Sequence, residues 1–150
     1  MGVILEQVSP DKPEARELIA ELEESLEPFY RAESRHGLGV EELLVQGVDF
    51  FWVCVDGYPA GCGGILWCDG YGELKRMYVR PAFRGQGIGR RLIEHLAEQA
   101  RRRSCHQLRL ETGIHQSAAI RLYESAGFRR IDPFGPYLND PQSLCFARQL

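Results

Sequence analysis

The chain has 150 residues, 44% of them hydrophobic and 26% charged, with a formal net charge of −3. That length suits one domain around one core, and no apolar run approaches the roughly 18 residues of a membrane span, which argues against a bilayer partner. Residues 1–50 hold twelve acidic and four basic side chains (net −8) and residues 51–150 nine acidic and fourteen basic (net +5), an uneven, modest positive charge that suits a phosphate-bearing ligand better than nucleic acid.

The first residues, Met1 to Glu6, lack the basic, apolar and small-residue segments of an export signal, so a cytoplasmic location is expected. Val3 to Val8 reads as a first strand, ended by Ser9-Pro10. A helix follows, with Asp11 as its expected cap, Pro13 in its first turn and Ala15, Leu18, Ile19, Leu22 and Leu26 on one face, running to Pro28. Residues 29–39 mix aromatics with Arg31, Arg35 and His36. Val40 to Val45 then forms a short second helix stopped by Gly47.

Phe50 to Val55 is a continuous apolar strand, and Asp56-Gly57 is a hairpin turn. Ala60 to Trp67 and Tyr71 to Val79 complete an antiparallel meander around Asp69-Gly70. Gly61, Gly63 and Gly64 in its middle strand predict a bulge or a close backbone approach. From Gly87 the period changes to 3.6, with Ile88, Leu92, Ile93, Leu96, Ala97 and Ala100 on one face and Arg101 to Arg103 favoured by the dipole at the helix end. Gln107 to Thr112 alternates as a strand, Ser117 to Ala126 is a second amphipathic helix closed by Gly127, Phe128 to Ile131 is a short strand, and Ser143 to Gln149 is the last.

Cys54, Cys62, Cys68, Cys105 and Cys145 are odd in number, have no C-x-x-C spacing and do not cluster with His36, His95, His106 or His115. No metal site or disulfide framework is expected from them. The chemistry concentrates instead around Gly85, Gly87 and Gly89, which straddle a helix start directly after a strand. Glycines there let backbone amides approach an anion, with the positive end of the helix behind them. The spacing is G-x-G-x-G rather than G-x-G-x-x-G, and the strand before it belongs to a meander, both of which argue against a dinucleotide-dependent oxidoreductase. No Lys-Ser or Lys-Thr follows, which removes a P-loop.

The run Val79-x-Pro81-x-x-Arg84-Gly85-Gln86-Gly87-Ile88-Gly89, with Leu122-Tyr123-Glu124-Ser125-Ala126-Gly127-Phe128 one helix and one strand later, resembles the signature of the GNAT superfamily of acetyl-CoA-dependent N-acetyltransferases, in particular its small bacterial members. The resemblance spans residues 48–150 and matches the first fifty only in element order. It implies an α/β (α+β) GNAT fold over a single domain, residues 1–150, with a mixed, mostly antiparallel sheet flanked by about four helices and splayed after the strand that ends at Val79. It further implies acetyl-CoA as cosubstrate, no metal, and a small-molecule or peptide amine as acceptor, and it leaves a homodimer open.

In that picture backbone groups of Met77, Tyr78 and Val79 pair with the pantetheine arm, and the pyrophosphate rests on Arg84, Gly85, Gln86, Gly87, Ile88, Gly89 and Arg90. Gln116, where many relatives carry Asn, adds a side-chain contact. Tyr123 protonates the departing thiolate, a role that a phenol with a pKa of about 10 suits. Glu73 resembles the carboxylate that deprotonates the amine. The acidic first fifty residues favour a cationic acceptor, whereas Arg31, Arg35 and His36 favour a carboxylate-bearing one such as an amino acid. A non-catalytic acyl-CoA-binding sensor is the alternative function. The acceptor is expected to meet residues 28–47 and 132–142.

Overall fold

A computed structural model describes residues 2–150. Among these, seven strands form one sheet and four α-helices flank it: β1 (Val3–Gln7), α1 (Pro13–Leu26), α2 (Val40–Val45), β2 (Asp49–Val55), β3 (Tyr58–Cys68), β4 (Tyr71–Val79), α3 (Ile88–Arg102), β5 (Gln107–Gly113), α4 (Ser117–Ser125), β6 (Arg129–Ile131) and β7 (Ser143–Gln149). The strand order is β1-β2-β3-β4-β5-β7-β6. Neighbours pair antiparallel except β4 with β5, so the sheet is mixed and mostly antiparallel, as expected from the GNAT resemblance.

Alternation along β2 explains how the two layers attach. Phe50, Trp52 and Cys54 pack on one face with Ala15, Leu18, Ile19 and Leu43 of α1 and α2. Phe51 packs on the other, with Leu92, Ile93, Leu96, Ala97 and Ala100 of α3, Tyr123 of α4 and Ala126 at the end of α4. The helical stripe read from the sequence of α3 is therefore its buried face.

One local expectation needs correction. Asp11 does not cap α1: the N-cap is Lys12, without a side-chain cap, and Asp11 accepts hydrogen bonds from Arg16 instead, 2.8 Å from Nε. The long guanidinium reaches the carboxylate and outcompetes the capping geometry. The other end agrees with the sequence: the last helical residue is Leu26, and Glu27, still in helical geometry with its amide bonded to the Glu23 carbonyl, is the C-cap directly before Pro28.

The glycines of β3 do both things foreseen for them. A Cβ on Gly61 would lie 2.5 Å from the backbone oxygen of Tyr78, so the two strands touch there through bare backbone. At Gly63 the register shifts, Cys62 facing Tyr78 and Gly64 facing Lys75, so Arg76 and Met77 together oppose one residue. This is a β-bulge, and Arg76 adopts a left-handed φ of 55° to make it. Gly61→Ala is expected to destabilise the fold by about 1–3 kcal/mol, the cost of overpacking against atoms that cannot move aside. Urea denaturation would measure it, and an unchanged midpoint would contradict the close approach.

Candidate active site

Pairing of β4 with β5 is confined to Gly72 with Leu108 and Glu73 with Arg109. Beyond Glu73 the strands diverge, so the β5-facing edge of β4 from Leu74 to Val79 has no strand partner, while β3 stays paired with β4 as far as Val79. The gap opens a cleft through the sheet. It is lined from the α3/α4 side by Tyr123 and from the α1/α2 side by Glu73, Lys75 and Glu111. Leu74, Leu108 and Leu110 belong to the α3/α4 core, so alternation turns Glu73, Lys75 and Glu111 to the opposite face.

At one end of β4 lies the glycine turn. Gly85 and Gly87 have φ of 78° and 77°, and no atom comes within 4 Å of a Cβ built on either. Gly87 is the N-cap of the 15-residue α3, and no side chain caps that helix. Its first amides are thus free to meet an anion over an open surface. Gly89 differs from its two partners. A Cβ there would lie 2.7 Å from Leu122 Cδ2, so this glycine lets α3 pack closely on α4.

The remaining residues of the expected cofactor set fall into two groups. Arg84 and Gln86 are exposed, Arg90 Nη1 bonds Ser125 Oγ at 3.2 Å, and the Ile88 side chain is buried in the core, leaving only its backbone for a ligand. Arg84 Nε donates to the Val79 carbonyl at 2.9 Å, which ties the turn to the end of β4. Met77 and Gln116 line the cleft itself. The Tyr78 side chain points to α1, where its hydroxyl donates to Glu21 Oε1 at 3.1 Å. The Tyr78 backbone alone remains for the ligand.

Glu73 is buried within a small network. Tyr137 donates to its Oε2 at 2.6 Å, and Lys75 Nζ lies 2.8 Å from that same oxygen and 2.8 Å from the Tyr137 hydroxyl. Burial, with the adjacent Glu73 charge, pushes the Tyr137 phenol well up, so it remains a donor. Glu111 on β5 accepts Ser143 Oγ at 2.7 Å, and burial pushes its carboxyl above the usual carboxylate range. Burial likewise pushes the Tyr123 phenol up, with the Glu111 charge adding to it. Among the described residues the Tyr123 hydroxyl has no hydrogen-bond partner.

Loops cover the cleft. Tyr30 donates to Gln116 Oε1 at 3.2 Å and accepts the His115 amide at 2.9 Å. Gly113 has no side chain because a Cβ there would fall 2.0 Å from the Tyr30 hydroxyl. His36 Nε2 lies 2.6 Å from Asp140 Oδ2, and Ser34 Oγ lies 3.3 Å from Asp140 Oδ1, so the loop after α1 is fastened to the loop before β7. Of the three cationic groups singled out in the first loop, Arg35 and His36 line the cleft and Arg31 is exposed.

The structure therefore brings Glu73, Met77, Gln116 and Tyr123 to one cleft and sets the turn from Arg84 to Arg90 beside it. Sequence reasoning missed Glu111, Lys75 and Tyr137. Glu111 had a usable signal, as an ionisable residue two positions before the glycine that ends the strand next to β4. Among the described residues, no group of three or more His, Cys, Asp or Glu side chains is placed to hold a metal ion, and no helix is long and apolar enough to cross a membrane.

Comparison with known proteins agrees with this geometry. The model of the Acetyltransferase (GNAT) family matches residues 14–128. A protein of Azospirillum brasilense named IAA acetyltransferase is 41% identical over 151 residues, covering 99% of each chain. The uncharacterized N-acetyltransferase YsnE of Bacillus subtilis is 35% identical over 121 residues, covering 79% of this chain and 80% of its own. Among solved structures, a Klebsiella pneumoniae protein described as an acyl-CoA N-acyltransferase superposes with a TM-score of 0.84 at 37% identity, covering 99% of this chain and 97% of that one. PaiA N-acetyltransferase of Thermoplasma acidophilum, solved with coenzyme A, has the same fold at a TM-score of 0.82 and 18% identity, covering 100% of both chains.

Proposed function

Because the chain belongs to the GNAT acetyltransferase family and is an acyltransferase, we propose that it moves an acetyl group from acetyl-CoA to a primary amine held in the cleft between β4 and β5. The observation that carries this reading is the splay itself. It offers an unpaired strand edge for an extended arm, with an uncapped helix end at one side and Tyr123, Glu73 and Glu111 converging inside.

Acetyl-CoA fits these features. The amides at Gly85, Gln86, Gly87, Ile88 and Gly89 would hold the pyrophosphate with Arg84 and Arg90 nearby, the β4 edge at Met77, Tyr78 and Val79 would pair with the pantetheine, and Gln116 would contact it from α4. The acceptor arrives as an ammonium against Glu73 and Glu111. Lys75 and Tyr137 hold Glu73 in place, and Glu111, whose buried carboxyl holds a proton more tightly than usual, takes the proton that the nitrogen must lose.

The neutral nitrogen then attacks the acetyl carbon, forming the C–N bond. Collapse of the tetrahedral species breaks the C–S bond, and the Tyr123 phenol donates its proton to the leaving sulfur. Direct attack is favoured over an acetylated enzyme because among the described residues no cysteine lines the cleft, and burial pushes the nearby strand thiol of Cys62 up to about 12.

Incubation with acetyl-CoA and a panel of amines, amino acids, polyamines and peptides, following thiol release, tests the proposal against a sensor that binds acyl-CoA without turnover. Release that depends on the amine supports transfer. Tight binding with no such release supports the sensor. For the cradle, Gly87→Ala is expected to cost about 1–2 kcal/mol through its left-handed backbone and to weaken CoA binding in isothermal titration. Unaltered CoA affinity would remove Gly87 from the site.

A further inference from the structure

One wall of the cleft carries positive charge that the transfer chemistry does not use. Arg35 Nη1 bonds Glu23 Oε1 at 2.7 Å, and Arg76 Nη2 bonds Glu23 Oε2 at 2.9 Å. Two guanidiniums thus share the two oxygens of one carboxylate, each by a single nitrogen. Glu27 lies 3.8 Å from Arg35, but its side chain is 59% exposed, where an ion pair contributes little.

Both Nε atoms are buried without a partner. The Arg76 side chain is only 4% exposed, and a buried guanidinium N–H left unpaired is costly. The fold nevertheless goes to some length to place it there. The bulge at Gly63 puts Arg76 in a left-handed conformation and turns it toward α1, onto the face that carries Glu73 and Lys75. Gly37 lies so close that a Cβ on it would be 1.4 Å from Arg76 Nη1. A salt bridge built only to fasten α1 would need one arginine and would pair its fork fully.

Resting on the acetyl-transfer reading, we infer that Arg35 and Arg76 form a carboxylate-binding subsite, and that the acceptor is a small amino acid-like molecule whose amine meets Glu73 and Glu111 while its carboxylate meets the two guanidiniums. The arginine fork matches a carboxylate in two parallel hydrogen bonds, and Glu23 takes only one nitrogen of each arginine. The opposite charges at the two sites orient the acceptor with its amine toward the reacting carbon. A polyamine, cationic at both ends, would meet like charge at this wall.

The test compares L-amino acids with the matched amines lacking the carboxylate and with the matched amides, by thiol release from acetyl-CoA, in the wild type, Arg35→Gln and Arg35→Lys. Binding of N-acetylated amino acids is followed separately by saturation-transfer NMR, which needs no turnover. At least one amino acid is expected to exceed its decarboxylated partner in kcat/KM by about 10-fold or more, as befits hydrogen bonds between charged groups. Arg35→Gln should collapse that ratio toward one, mainly through KM, and Arg35→Lys should retain part of it.

Equal turnover of matched pairs by the wild type overturns the subsite, as does a preference that survives in Arg35→Gln. Product binding that depends on Arg35, with no amine acetylated, would keep the subsite and sink acetyl transfer. Neither binding nor turnover would sink both.

Discussion

Replacing Tyr123 by phenylalanine is expected to lower kcat about 100-fold, the lower end of what a positioned acid contributes, while acetyl-CoA affinity stays near that of the wild type. The ring carries the packing and the hydroxyl carries the chemistry, so the substitution separates them. Tyr123 is 7% exposed, sits in the core with α3, and meets Phe128 edge-on at 5.9 Å. Phenylalanine keeps those contacts. No partner among the described residues loses a hydrogen bond with the hydroxyl. A poor leaving thiol should suffer more than an activated one, so acyl donors with more acidic thiols should recover part of the rate in the variant. Turnover equal to wild type, with chemistry shown to limit the rate, would return Tyr123 to the core and to no other duty.

Glu111→Gln is expected to lose about 100-fold in kcat/KM and to gain stability at neutral pH. Both effects have one cause, the burial that raises the affinity of the Glu111 carboxyl for its proton. A raised folded pKa means that the folded chain binds this proton more tightly than the unfolded chain does. The stability this contributes is fully present below the unfolded value near 4.5 and is lost as pH rises through the folded value. At pH 7 the wild type therefore lacks stability that it has near pH 4.5, whereas glutamine does not titrate and still accepts the Ser143 hydroxyl. The melting temperature of Glu111→Gln should exceed that of the wild type at pH 7, and the difference should shrink as the pH falls toward 4.5. The acid limb of the kcat/KM profile should weaken with it. A variant that is less stable at pH 7, or as active as the wild type, would remove Glu111 from the proton path.

The parts of the fold that could be read ahead are those set by neighbours in sequence. Alternation at Phe50, Phe51 and Trp52, the helical stripe from Ile88 to Ala100, and the turn at Asp56-Gly57 all belong to single elements, and the structure has each where its pattern puts it. Gly85 and Gly87 were legible because a left-handed turn before a helix demands glycine. Gly89 carries the same letter for a different reason, its contact with Leu122, and no local pattern separates the two.

The acceptor side of the cleft was less legible because contacts distant in sequence build it. Glu73 takes its partner from 64 residues away at Tyr137, and His36 meets Asp140 across 104. The two loops expected to meet the acceptor, residues 28–47 and 132–142, do supply lining residues, among them Tyr30, Arg35, His36 and Tyr137. Their orientations rest on partners outside their own loops, such as Gln116 for Tyr30, Glu23 for Arg35, Asp140 for His36 and Glu73 for Tyr137, which neither loop encodes alone. Arg76 is the clearest case. Its period in β4 would place it opposite Lys75, and the bulge opposite Gly63 turns it to the same face.

The central claim is that an amine and acetyl-CoA meet in the cleft and react directly. Initial rates of thiol release, measured against acetyl-CoA at several fixed concentrations of an active amine, test it most plainly. Intersecting lines in the double-reciprocal plot, with no release in the absence of amine, are the predicted result. Parallel lines, which mark an acetylated enzyme, or no amine-dependent release from any acceptor would contradict it.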